Sequence, residues 1–184
     1  MRAIIPLLLC IGAVATSQPA SAQKFKNPDT LGPDYPTPQA VVDRMLQAAH
    51  VAPGEMVYDL GCGDGRIIIT AVQKFKARAV GIELSRDIYE KTAAKIKSMG
   101  LGEQLKVVHG NALHYDLSPA DVVTLYLLTS SNDRLRPALE RYLKPGARVV
   151  SHDYEIRGWT PAVVEKMEAD GRPHIIYVYD VKAK

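Results

Sequence analysis

Three glycines at every second position follow an apolar run that ends in an acid: Val57-Tyr58-Asp59-Leu60-Gly61-Cys62-Gly63-Asp64-Gly65-Arg66. Ile67, Ile68 and Ile69 come next and open a helical pattern. Strand, tight glycine loop and helix in this order form the unit that opens a nucleotide-binding α/β sheet. Glycine lets the backbone turn sharply and approach a ligand with no Cβ between them. The spacing then narrows the ligand. A dinucleotide fingerprint needs G-x-G-x-x-G, and Arg66 stands where the third glycine belongs, which weakens an oxidoreductase reading. No Lys-Ser or Lys-Thr pair follows, so this is not a phosphate-cradling P-loop. Asp59 repels phosphate and suits a ligand with a cationic end, such as an α-amino group held directly or through water.

A second acid supports a nucleoside ligand. Ala79-Val80-Gly81-Ile82-Glu83 is a short apolar strand whose last residue, Glu83, lies 24 positions after Asp59. Beside a nucleotide-type loop, such an acid receives the two ribose hydroxyls. Leu84 then packs on the base.

Asp59 to Gly65 resembles motif I of the class I, seven-strand S-adenosylmethionine-dependent methyltransferases. The longer string Asp59 to Ile67 is similar to a narrower group, small protein-lysine methyltransferases that include those acting on the ATP synthase c-subunit. Leu143-Lys144-Pro145-Gly146-Ala147-Arg148-Val149-Val150 resembles the matching region of class I enzymes, and the likeness spans about Tyr35 to Val181. It implies a Rossmann-like α/β fold, a doubly wound, mainly parallel seven-stranded sheet that ends in an antiparallel hairpin. It also implies S-adenosylmethionine as cofactor, no metal, and a methyl acceptor for which a protein lysine is one class. The cofactor residues it implies are Thr37, Asp59, Gly61, Gly63, Gly65, Glu83, Leu84, Asn111 and Ala112, with Leu113 lining the adenine pocket. At Asn111 the family usually has an acid, so this chain keeps an acceptor oxygen there and loses the charge.

Other segments read in chain order. Lys24 to Pro38 holds Pro28, Pro33, Pro36 and Pro38 and reads as an arm. In the resembling family such a segment lies over the cofactor, where Thr37 offers its hydroxyl; the alternative is a helix N-cap at Thr37 with Pro38 as first helical residue. Val41, Val42, Met45, Leu46 and Ala49 predict a helix over 38–50. Helices are also expected over 66–76, 87–99 and 132–143, the last containing Pro137 as a kink or as its true start. Strands are expected over 56–60, 77–84, 105–109, 121–128, 148–152, 163–169 and 174–181. Asp170-Gly171 between the last two is a hairpin signal. Tyr126, at the end of the central strand, is the catalytic candidate, facing the acceptor or packed in the core. Trp159 borders the acceptor entrance in this reading.

Several classes are set aside. No Cys/His cluster has zinc spacing, and His50, His109, His114, His152 and His174 are scattered, so no metal ligand is assigned. Ser151-His152-Asp153 does not read as a hydrolase triad, because consecutive strand residues point to opposite faces. A net charge of +3 is too small for a nucleic-acid footprint, so no nucleic acid is expected.

The first residues predict a secretory signal peptide over 1–22: Arg2 as the basic end, Ala3 to Ala15 as the apolar stretch, Ala20-Ser21-Ala22 as the cleavage site. Cleavage takes 184 residues to 162, removes one charge, and leaves no stable membrane span and only Cys62. An arm over 23–37 and a methyltransferase domain over 38–184 complete the organisation. The chain is then exported, and cytoplasmic if the signal is unused. Export favours one alternative, a non-catalytic module that binds S-adenosylmethionine, S-adenosylhomocysteine or a nucleoside, because the cofactor is made in the cytosol.

Overall fold

The computed structural model describes residues 31–32 and 35–183, so the expected signal segment and most of the arm lie outside the described residues. The strands are β1 (Met56–Leu60), β2 (Arg78–Glu83), β3 (Leu105–His109), β4 (Val122–Leu125), β5 (Arg148–His152), β6 (Val163–Ala169) and β7 (Arg172–Asp180). The helices are α1 (Gln39–Ala48), α2 (Arg66–Phe75), α3 (Arg86–Ser98) and α4 (Thr129–Tyr142). One seven-stranded sheet forms in the order β3-β2-β1-β4-β5-β7-β6. β1 to β5 pair in parallel, whereas β7 is antiparallel to both β5 and β6. This is the doubly wound arrangement with its terminal hairpin.

Two apolar layers bury the sheet. Successive strand residues face opposite ways, so Val57 joins the layer under α1 and α2, while Tyr58 and Leu60 join the layer under α4. The same alternation splits Val122 from Val123 and Val150 from Val149. Val41, Val42, Met45, Leu46 and Ala49, the residues that mark the first helix in the sequence, are wholly buried. Strand order reverses between β1 and β4, both of which run the same way. Ligands of open α/β sheets bind at the carboxyl ends of strands at such a point.

Most expected boundaries fall within two residues of the observed ones, and two adjoining ones do not. The strand expected over 121–128 ends at Leu125, which pairs with Leu60 on one side and Ser151 on the other. Tyr126 to Leu128 leave the ladder, and α4 begins at Thr129 rather than at 132. Pro137 is inside α4, neither its start nor its end. At the far hairpin, Asp170 (φ 47°) and Gly171 (φ 75°) both sit in the left-handed region, as a tight Asp-Gly turn demands.

Candidate active site

A cavity of about 770 Å³ opens at the carboxyl ends of β1, β2 and β4, within the size range of small-molecule sites. The glycine loop supplies one wall. Gly61 and Gly63 line it with φ of 83° and 52°, backbone that L side chains rarely adopt. Gly65, also expected at the cofactor, is not among the residues that line the cavity. It begins α2 at φ 77°, and a Cβ there would stand 2.8 Å from Thr92 Cγ2, so this glycine serves the turn and the packing of α3.

Glu83 forms the second wall and is 7% exposed. The backbone N–H of Gly63 donates to its Oε2 at 3.0 Å, and that of Ser85 to its Oε1 at 2.8 Å. A carboxylate offers about four lone-pair sites. Two are occupied by the loops it joins, and two remain for ligand hydroxyls. Glu83 thus ties the glycine loop to the β2 end while still able to receive a diol. Leu84, Asn111 and Ala112 line the same cavity. Asn111 Oδ1 already accepts from the Leu113 backbone N–H at 3.0 Å, so its oxygen shapes the turn beside the cavity. Leu113 packs into the core under α4 and is not a cavity residue, contrary to expectation.

Asp59 reaches the cavity from below, 3% exposed. Burial pushes its carboxyl up to about 7; the nearby Glu83 and Asp64 charges add to this, and the Thr124 hydroxyl, which donates to Oδ1 at 2.7 Å, opposes it. The ladder explains the pair, since Asp59 and Thr124 are in register. Cys62, beneath the loop, has its thiol driven far up by burial and is no nucleophile.

The arm closes the cavity through Tyr35, Pro36 and Thr37. Thr37 is not the helix cap, a place taken by Pro38 with no side-chain bond, and its hydroxyl does not face a ligand freely. It pairs with His152 Nδ1 at 3.2 Å. Arg66, which breaks the dinucleotide pattern, donates to the Thr37 carbonyl at 2.7 Å and pairs with Asp64 at 2.7 Å, so it fastens the arm to the glycine loop.

Just past the end of β4 stands Tyr126, half-buried in the cavity wall. Its ring lies 4.0 Å, centroid to centroid, from His152, and its hydroxyl receives a hydrogen bond from Arg172 Nη2 at 3.0 Å. Burial raises the phenol above its ordinary value, and the Arg172 charge opposes this. Behind it, His152 Nε2 and His174 Nδ1 are 2.8 Å apart, and His174 Nε2 faces the Ala169 carbonyl at 3.1 Å. A carbonyl only accepts, so His174 carries its hydrogen on Nε2, and its Nδ1 accepts from His152. Burial holds His152 below the ordinary histidine range, hence neutral. His152 Nδ1 then accepts from the Thr37 hydroxyl. Asp153 approaches both rings, at 3.3 and 3.7 Å, and pairs with Arg172 Nη1 at 2.8 Å.

Sequence reasoning missed this network. His152 and Asp153 are adjacent, and strict alternation would keep them apart, but β5 ends at His152 and Asp153 turns back at φ 60°. Ser151 bonds instead to the Tyr154 carbonyl. Trp159 is also misplaced: it packs edge-on against Tyr179, donates to Glu140 at 2.9 Å, and does not border the cavity.

Comparison with known proteins adds to this geometry. A family model described as the ANTKMT methyltransferase domain matches residues 59–163. A protein-lysine N-methyltransferase of Saccharolobus islandicus is 49% identical over 148 residues, covering 80% of this chain and 92% of that one. The adenine nucleotide translocase lysine N-methyltransferase of Mus musculus is 31% identical over 142 residues, and the chain spans 59% of its length. Among solved structures, an RNA methyltransferase from Salinibacter ruber in complex with S-adenosyl-L-homocysteine has a TM-score of 0.75 at 41% identity, over 82% of this chain and 95% of that one.

Proposed function

The chain belongs to the ANTKMT methyltransferase family and is an S-adenosylmethionine-dependent methyltransferase, and from that premise we propose that it methylates a lysine amine of a protein. The observation that carries the acceptor is the 49% identity, over 92% of its length, to a relative named protein-lysine N-methyltransferase. The non-catalytic alternative gives way to the family. When bound, S-adenosylmethionine supplies a methyl group on a sulfonium, open to in-line displacement by an acceptor lone pair.

The residues fit such a ligand. Glu83 keeps free lone pairs for the ribose hydroxyls, and Gly61 and Gly63 leave the loop backbone bare against the ligand. Asp59 would take the amino end, and Leu84, Asn111 and Ala112 the base, since all four line the cavity. Tyr126 meets the acceptor. The protein's part is alignment and the exclusion of water. A lysine amine reacts only when neutral, and Tyr126, with its raised phenol, is a hydrogen-bond partner for that amine rather than a base.

A second reading is RNA as acceptor, favoured by the Salinibacter ruber neighbour's description as an RNA methyltransferase. Net charge of +3 argues against it. The test is incubation of the enzyme and native-cell extract with methyl-labelled S-adenosylmethionine, followed by separate protease and ribonuclease digestion. Label released by protease and recovered as methyl-lysine is expected. Label released by ribonuclease alone would replace the lysine reading with the RNA one.

A further inference from the structure

Arg172 lies beyond residues 59–163, the stretch the family model matches, and begins β7 directly after the Asp170-Gly171 turn. It is the only hydrogen-bond partner shown for the Tyr126 hydroxyl among the described residues. A guanidinium has donors and no acceptor, so the sense of that bond is fixed: Tyr126 Oη accepts. A phenol has one hydrogen and two lone pairs. With one lone pair committed to Arg172, the hydrogen and the second lone pair are left for whatever occupies the cavity that Tyr126 lines.

Both partners are held. The Tyr126 ring is flanked by His152 at 4.0 Å and by Tyr154 at 6.2 Å, and His152 is itself fixed by Thr37 and His174. Arg172 is fixed by Asp153 Oδ2 at 2.8 Å, while Asp153 Oδ1 accepts from the Ile175 backbone N–H at 2.9 Å. The ion pair is therefore a dipole whose positive end rests on the phenol oxygen. That end repels an ammonium and tolerates a neutral amine, which is the form that can accept a methyl group.

We propose that Arg172 is a positioning residue for methyl transfer, acting through Tyr126 to fix the direction in which its hydroxyl meets the acceptor. This rests on Tyr126 facing the acceptor. No proton moves to or from Arg172 at any stage. Its contribution is orientation and a fixed positive charge.

Two measurements on the full chain test it, with Arg172→Met removing donor and charge and Arg172→Lys retaining both in part. The first needs no acceptor. With tyrosines labelled at Cζ and the Tyr126 signal assigned through Tyr126→Phe, its ionisation midpoint should rise by about one pH unit in Arg172→Met. In Arg172→Lys the midpoint should lie between the other two. An unchanged midpoint in Arg172→Met would overturn the proposal. The second is a double-mutant cycle on turnover, read on whichever polymer takes the label, so that loss of the lysine reading leaves it standing. Arg172→Met should lower turnover about tenfold and leave S-adenosylhomocysteine affinity within about threefold. In a Tyr126→Phe background it should cost less than about twofold more. An undiminished tenfold loss in that background would mark Arg172 as acting independently of Tyr126 and overturn the proposal.

Discussion

Asp59 holds its proton near neutral pH because it is buried beside two other acids, and its state depends on what enters the cavity. A carboxyl raised from 3.8 to about 7 on folding stabilises the fold most at low pH, below its unfolded value, and that contribution fades as pH rises through about 7. The difference amounts to roughly 4 kcal/mol for a fully buried group. Denaturant titrations at pH 4 and pH 7.5 should therefore show Asp59→Asn gaining on the wild type as pH rises; a gap that stays constant would mean that Asp59 ionises normally. A cationic ligand end favours the ionised carboxylate, so S-adenosylhomocysteine affinity should climb toward pH 7 and then level off, and the climb should vanish in Asp59→Asn. At Tyr126 the expectation separates binding from chemistry. Tyr126→Phe should lower turnover and leave cofactor affinity within about threefold, a loss below roughly 0.7 kcal/mol. An equal loss in both would assign Tyr126 to the cofactor pocket. Asp59, Gly61, Gly63 and Glu83, which all line the cavity, were legible in the sequence because their spacing follows from one local strand-loop-helix-strand unit, β1 to β2. Gly65 shows the limit, since the same spacing also serves helix packing.

At the scale of elements, apolar periodicity located strands and helices well because it records burial. It overran at β4 for the same reason. Leu127 is 5% exposed and Tyr126 lines the cavity, yet neither is in the ladder. Hydrophobicity marks the buried wall of a site as readily as it marks a strand. The Asp-Gly turn was legible because it needs two left-handed residues. The seat of the glycine loop was not, because it depends on β2. A Cβ at Gly81 would lie 2.6 Å from Cys62 Sγ and 2.7 Å from Ile68 Cδ1. Gly81→Ala should then lower unfolding free energy by about 1–3 kcal/mol, and weaken S-adenosylhomocysteine binding by lifting the loop under which Cys62 sits. Thermal melts and titration of the same variant check both, and wild-type values for each would show that Cys62 moves aside freely.

The whole molecule explains which parts of the site stayed hidden. Tyr126 follows β4, His152 ends β5 and Arg172 begins β7, and these strands are neighbours in the sheet but far apart in the chain. Nothing local in the sequence announces that the terminal hairpin returns Arg172 to the end of β4. The amino terminus poses a separate question, and we propose that residues 1–22 export the protein, with cleavage before Gln23 supported by the Ala20-Ser21-Ala22 pattern. Amino-terminal sequencing of native protein should begin at Gln23, whereas an intact Met1 on cytoplasmic protein would refute export. Catalysis depends on the cavity holding S-adenosylmethionine through Glu83, and calorimetric titration tests this with S-adenosylmethionine, S-adenosylhomocysteine and NAD against wild type and Glu83→Ala. Wild type should bind the first two and ignore NAD. Glu83→Ala should remain folded by thermal melt and lose about one to two orders of magnitude for both ligands alike, since both share the ribose and a charge-assisted hydrogen bond contributes roughly 1.5–3 kcal/mol. Binding of NAD in place of S-adenosylmethionine, or wild-type affinity in Glu83→Ala, would contradict this assignment of the site.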